Sequence, residues 1–343
     1  MMRTDLVVYS ALLAAGLGAA YWASLPTPEG SEDAVTVLTV DPKSVAEISF
    51  KSPEVDVVLT KRGTDDRFQV THKKSEIPPV NPHVPRDEKA PPPEPKVTTE
   101  RFLSNEKTAA LLTSFSPLYA VRVLDTVTDQ QLQEYGLKDD ANTLTIKRQD
   151  GKDVSLRIGK RSYGSRHRFA QELPSGKRVL LIDDTQIENL ERAPARLYER
   201  RIIELEPDDI AKAVLTAGDR TRRLDHGKRD QSGELFWTDE SDNAAKQGGL
   251  VDNFMDRLLK LRVAEYATDS DEQNLKDVKP FFTVVVEKDG KPSDQISFFK
   301  TGGDKPLYWV TSDFLKVHAR LQASRVEPIE KDLPAVLGDA SKT

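Results

Sequence analysis

The run TLTIKRQDGK at residues 143–152 returns as FTVVVEKDGK at 282–291. Both runs are short, rich in β-branched and apolar residues, and closed by Asp-Gly-Lys. Such a run bounded by a turn pair reads as a β-strand. Asp150-Gly151 and Asp289-Gly290 are the residues a type I′ hairpin turn selects, because both of its central positions need positive φ. DVSLRIG (153–159) supplies the returning strand of the first hairpin.

Outward from these hairpins, more of the chain repeats in the same order. Val40-Asp41-Pro42 ahead of Val45 corresponds to Leu205-Glu206-Pro207 ahead of Ile210. A helix is predicted over 99–116, with Leu111, Leu112 and Phe115 on one face. Its counterpart over 248–261 presents Leu250, Phe254, Leu258 and Leu261. Val121-Arg122-Val123 follows the first helix and Leu261-Arg262-Val263 ends the second, and Phe169-Ala170 corresponds to Tyr308-Trp309. We read an internal duplication, fold class α+β: two units of twisted antiparallel sheet, each with a packed helix. The boundaries are an anchor at 1–25, a linker at 26–36, a first unit at 37–203, a second at 204–337 and a tail at 338–343.

Other local signals fill in the first unit. Strands are predicted at 35–40, 45–50, 55–60, 67–71 and 119–124, and residues 184–201 read as mostly helical. RFAQE and RVLLID form a further hairpin around Pro174-Ser175-Gly176. Thr128 and Gln131 have capping-box spacing, and Gly136 stands where a helix of this kind ends. The first unit is the longer one because of residues 77–97, which hold eight prolines and no glycine. Proline lacks a backbone donor and fixes φ, so this stretch is neither helix nor central strand. It reads as an extended polyproline-type loop, with a docking peptide as the less favoured alternative.

The N-terminus points to a membrane. Leu6 to Leu25 is a run of 20 uncharged residues, which as a helix spans about 30 Å, the thickness of a hydrocarbon core. Arg3 precedes it, while Glu29, Glu32 and Asp33 follow, so the charge bias keeps the N-terminus in the cytoplasm. Tyr21 and Trp22 sit near the far end, where amphipathic rings favour the headgroup layer. The expected arrangement is a single-pass inner-membrane protein with the bulk of its chain in the periplasm and the membrane as partner through residues 6–25. The alternative is a cleaved signal peptide with a cut after Gly18-Ala19-Ala20, and the length of the apolar run argues against it.

Composition narrows the function classes. The chain has 343 residues, 50 Lys and Arg against 56 Asp and Glu, a net charge of −6 and no cysteine. The mixed charge excludes a basic nucleic-acid-coating protein, so no nucleic-acid partner is expected. The lack of cysteine excludes disulfide scaffolds, thiolate metal sites and cysteine nucleophiles. Five histidines (His72, His83, His167, His226 and His318) form no pair at metal-binding spacing, and no acidic run has the layout of a calcium loop. No metal and no cofactor is expected. Lys160, Arg161, Arg166, His167 and Arg168 crowd one hairpin, and Arg220, Arg222, Arg223, Lys228 and Arg229 another. These read as solvated hairpin edges before they read as sites for anionic headgroups or an acidic partner.

Several motifs together resemble a known family. They are a short N-terminal anchor, a VxxxxPxxVxxI-like opening strand pair, Gln133-Glu134-Tyr135-Gly136-Leu137 just ahead of the TLTI strand, and Ile158-Gly159 ahead of the second hairpin. The chain is similar over most of residues 5–335 to the bacterial domain-of-unknown-function family 4340. The resemblance implies an accessory envelope protein, because genes of that family commonly lie beside ABC transporters of the gliding-motility-associated type. It implies no catalytic residues. The expected function is thus a non-enzymatic, membrane-anchored accessory or scaffold of a transport or surface-motility complex, with an ABC transporter or envelope complex as partner.

A second function class is kept open by three motifs in the order of a serine acyl-enzyme acting on peptidoglycan. Ser104 and Lys107 form S-x-x-K, Ser241-Asp242-Asn243 is S-D-N, and Lys300-Thr301-Gly302 is K-T-G. That chemistry needs Ser104 as nucleophile with Lys107 one turn later, Ser241 as proton relay and Lys300 lining the acyl pocket. The β-rich stretch between the first two motifs argues against it, so Ser104 is expected to face solvent or cap its own helix. A glycan- or peptide-binding module using the sheet faces is the third class.

Overall fold

The computed structural model describes residues 35–63, 67–77, 94–138, 142–174, 178–229, 233, 235–240 and 249–338. The predicted anchor at 6–25, nearly all of the proline-rich stretch and Ser241 lie outside them. No helix among the described residues is long and apolar enough to cross a membrane.

The first unit begins with β1 (Val35–Leu38), β2 (Val45–Lys51), β3 (Val55–Lys61), β4 (Phe68–Glu76) and β5 (Lys96–Leu103). Helix α1 (Lys107–Ser114), β6 (Leu118–Leu124) and α2 (Asp129–Glu134) follow. Next come β7 (Asn142–Arg148), β8 (Val154–Arg161), β9 (His167–Glu172) and β10 (Val179–Asp183), and the unit closes on α3 (Thr185–Glu191) and α4 (Ala193–Leu197). The second unit contains β11 (Lys212–Ala217), β12 (Arg220–Arg229), β13 (Leu235–Asp239), α5 (Gly249–Leu259), β14 (Val263–Tyr266) and α6 (Asp269–Leu275). It ends with β15 (Phe282–Lys288), β16 (Lys291–Thr301), β17 (Leu307–Ser312), β18 (Ala319–Leu321) and α7 (Ala323–Val336).

The two sheets share one strand order. The first runs β1-β6-β10-β9-β8-β7-β2-β3-β4-β5 and the second β14-β18-β17-β16-β15-β11-β12-β13. Matching β6 with β14, β7–β10 with β15–β18, and β2–β4 with β11–β13 superposes the orders without exception. Even β1 has a counterpart, a single bridge from Arg201 to Arg262 on the outer side of β14. A short 3-10 turn at Pro42–Ser44 precedes β2, and one at Pro207–Asp209 precedes β11. Thr128–Gln131 and Thr268–Asp271 both form capping boxes, at the starts of α2 and α6. The architecture is therefore α+β, with two antiparallel sheets that fit duplicated units. Among the described residues β5 has no counterpart, and that of β1 is the bridge alone.

The expected core is buried. Leu111, Leu112, Phe115, Phe254, Leu258 and Leu261 are each at most 7% exposed. Leu250 is the exception: it lies in the first turn of α5 and is exposed.

Three local expectations need correction. Residues 96–103 are a strand and not the start of a helix, which begins only at Lys107. The long β4 offers a free edge, and β5 pairs along it from Gln69–Leu103 to Glu76–Lys96, burying Phe102 and Leu103. This edge is a tertiary feature that helical propensity does not see. The Asp150-Gly151 turn is not type I′, because only Gly151 has positive φ. Its loop is longer: the Asp153 carboxylate accepts from the Arg148 amide at 3.1 Å, and Asp150 pairs with the Arg148 guanidinium at 2.8 Å. The second copy does have the two-residue turn, with φ of 52° at Asp289 and 73° at Gly290 between the paired Lys288 and Lys291. Finally, the helical stretch predicted at 184–201 stops at Leu197, and the chain from Tyr198 onward runs along the seam between the units.

That seam is bound by aromatic and ionic contacts. Phe102, Tyr198 and Tyr266 form a triad with ring centroids 4.4–5.7 Å apart. The Tyr266 hydroxyl donates to the Glu199 carbonyl at 2.8 Å, and the Tyr198 hydroxyl donates to Glu100. Burial pushes both phenols well above the usual range, so they stay protonated donors. Glu199, 2% exposed, pairs with Arg67 at 2.7 Å and Arg201 at 3.5 Å, and accepts the Arg200 and Arg201 amides at 2.9 Å each. A buried carboxylate held this fully is a strong joint: removing one charged partner of such a pair costs about 3–5 kcal/mol.

Candidate functional site

The sequence marks one place most densely, the Tyr135-Gly136-Leu137 and Ile158-Gly159 motifs, and the fold brings them together. Gly136, at φ 70°, ends α2. Its amide donates to the Gln133 carbonyl and the Leu137 amide to the Leu132 carbonyl, the pair of bonds of a Schellman motif. The carbonyl of Tyr135 then accepts the Lys160 amide on β8 at 2.8 Å. Gly159 must be glycine for this approach, since a Cβ there would lie 2.2 Å from the Tyr135 oxygen. Tyr135 stacks on Phe169 of β9 with centroids 4.1 Å apart. The motif is thus a joint that locks α2 onto the sheet.

Beside the joint is a cleft of about 570 Å³, lined by Gln133, Lys138, Asn142, Lys160, Arg161 and Arg168 among others. It contains part of the basic hairpin that the sequence singles out. Its two arginines are paired internally. Arg168, 6% exposed, contacts Asp184 at 2.7 Å and Glu191 at 2.7 Å, and Arg161 also pairs with Asp184. The Arg168–Asp184 contact is ionic without hydrogen-bond alignment. Burial holds the Asp184 carboxyl above its usual range despite the two guanidiniums. Two arginines of the second basic hairpin are also paired. Arg222 grips Asp239 with two bonds of 2.9 and 2.7 Å, and Arg223 lies 3.9 Å from Glu240.

The serine motifs take different positions from those a nucleophile needs. Ser104 follows directly on β5, bridged to Tyr198, and is fully buried. Its Oγ accepts the Phe68 amide at 2.9 Å, while its own amide donates to the Phe68 carbonyl at 2.9 Å. The expectation that it faces solvent or caps its own helix is therefore wrong; it staples β4 to β5. Lys107 is exposed at the start of α1. Lys300, on β16, is held by Glu330 of α7 at 2.7 Å, and the same carboxylate accepts from Tyr308 at 2.6 Å.

The histidines are scattered. Burial lowers the pKa of His72 and His226 and so favours their neutral forms. His226 stacks on Trp237 at 4.1 Å, and its Nδ1 bonds the Ile210 carbonyl at 3.1 Å. His318 pairs with Glu272 at 2.7 Å. Among the described residues no group of three or more His, Asp or Glu is placed to hold a metal ion.

Neither a curated protein nor a solved structure matches the chain. A family model described as a domain of unknown function matches residues 103–278, from the end of β5 through the glycine joint and the seam to just beyond α6. That match covers just over half of the sequence, and the chain belongs to the DUF4340 family.

Proposed function

We propose that the protein is a non-enzymatic accessory or scaffold of an envelope transport or surface-motility complex. In this reading residues 6–25 anchor it in the bacterial inner membrane, the two sheets lie on the periplasmic side, and an ABC transporter is the partner. One observation carries the reading. Ionic groups are spent on the frame: Arg67 pairs with the buried Glu199 at the seam and lies over the Phe314 ring of the second unit, and the buried Arg168 pairs with Asp184 at the start of α3. Buried charge used in this way stiffens a frame and sets the spacing of two sheets, which suits a spacer or platform. The single uncharged run of 20 residues at the N-terminus supports the anchor.

The test is fractionation followed by co-purification. The protein should stay in the membrane fraction after salt and carbonate washing, and its C-terminus should be digested only from the periplasmic side. After solubilisation it should co-elute with an ABC permease encoded beside it. A mature N-terminus beginning near Tyr21 would remove the anchor. Covalent attachment of a labelled penicillin that depends on Ser104 would replace the scaffold with the acyl-enzyme.

A further inference from the structure

A cleft of about 800 Å³ opens at the seam between the C-terminal end of α5, the start of β14 and the first turn of α7. Five cationic side chains line it, Arg200, Arg257, Lys260, Arg262 and Arg325, against the two acids Asp256 and Glu265. The acids are already engaged. Asp256 pairs with Lys260 and Glu265 with Arg320, while Arg257 is paired outward with Asp332. Arg200, Arg262 and Arg325 therefore face the cleft without a carboxylate partner among the described residues.

Two of these three are held in place by neutral groups. Arg200 Nη1 donates to the carbonyls of Val263 and Ala264 at 3.0 and 3.3 Å. Arg262 Nη1 donates to the carbonyls of Leu261 and Leu259 at 2.9 and 3.4 Å, at the end of α5. Backbone carbonyls fix the guanidinium planes and leave the full charge unbalanced. This differs from Arg161, Arg168 and Arg222 of the two basic hairpins, which carboxylates hold. The first turn of the 14-residue α7 adds to the same field, since its N-cap, Gln322, makes no side-chain cap bond.

We propose that this cleft binds an organic phosphate. Guanidinium forks match phosphate oxygens in geometry and carry charge at any working pH. Three uncompensated cations around one space suit a dianion better than a single carboxylate. The space exceeds what inorganic phosphate needs, and Leu261, Val263, Ala264 and Pro328 give it apolar walls for the body of the ligand.

The test is calorimetric titration of the full chain, in phosphate-free buffer, with inorganic phosphate, glycerol 3-phosphate, and dihexanoyl phosphatidic acid below its micelle concentration. Binding of at least one is expected, weakening with added salt. Arg325 has no side-chain bond among the described residues, so Arg325→Gln leaves the fold intact. That change should weaken binding about tenfold, the loss typical of one charge-assisted contact. Arg325→Lys should keep part of the affinity, and Arg200→Gln should act like Arg325→Gln. A preference for glycerol 3-phosphate assigns the site to soluble phosphates, and one for the short-chain lipid assigns it to headgroups; either supports the proposal. No binding of any probe, or affinities in both Gln variants equal to the wild type, overturns it.

Discussion

Replacing Asp294 with asparagine should stabilise the protein by an amount that grows as pH rises toward about 7 and then levels off. Asp294 lies on β16 and is 5% exposed. Its Oδ1 accepts only a long bond, 3.3 Å, from the Phe314 amide, and its Oδ2 is buried without a partner among the described residues. Asp313, Glu204 and Arg62 line the same small cavity of about 190 Å³. Burial pushes the Asp294 carboxyl up from 3.8 to about 7, with the Asp313 carboxylate adding to the rise. The folded state thus binds this proton more tightly than the unfolded state. Stability is full below the ordinary value and is lost as pH rises through about 7. At 1.36 kcal/mol per pH unit, keeping the carboxyl protonated in the fold should cost roughly 2 kcal/mol at pH 5, and burying it ionised roughly 4 at pH 8. Asparagine keeps the Oδ1 acceptor and cannot ionise. Urea unfolding of both proteins at pH 5 and pH 8 measures the gap directly, since other titrating groups cancel in the difference. A gap that is the same at both pH values, or that shrinks at pH 8, would refute the reasoning.

Gly159→Ala should destabilise by about 1–3 kcal/mol or more, because its Cβ would meet the Tyr135 carbonyl, a backbone atom that cannot swing aside; a thermal midpoint equal to the wild type would remove the joint's importance. Ser104→Ala should cost about 1–3 kcal/mol by stranding the buried Phe68 amide, and the wild-type protein should take up no labelled penicillin. Denaturant midpoints and gel fluorescence check the two halves of that prediction separately.

Much of the fold is legible in the residues because its signals are local. The capping box of Thr128 and Gln131, the C-terminal glycine at Gly136 and the hairpin at Asp289-Gly290 are each set within a few positions of the chain. The ordered repeat of such signals announces two units of the same order, and the sheets carry that order strand for strand. Where a signal is shared with another structure, local reading errs. Residues 96–103 have a helix's polarity until the free edge of β4 is offered to them, and Asp150-Gly151 turns differently once Asp153 caps the loop.

The candidate sites divide in the same way. Chain position shows where the basic residues cluster, yet it cannot show that Asp184 and Glu191 reach Arg168, or Asp239 reaches Arg222. Nor does any motif connect Arg200, Arg262 and Arg325, which lie on three separate segments of the chain and meet only in the folded structure. Sequence alone determined the repeated order of strands and helices, because turn, cap and periodicity act over a few residues. Tertiary structure decided which charges are cancelled, which serine is buried and which carboxyl is left unpartnered, because Coulomb and desolvation energies depend on distances through space between segments far apart in the chain.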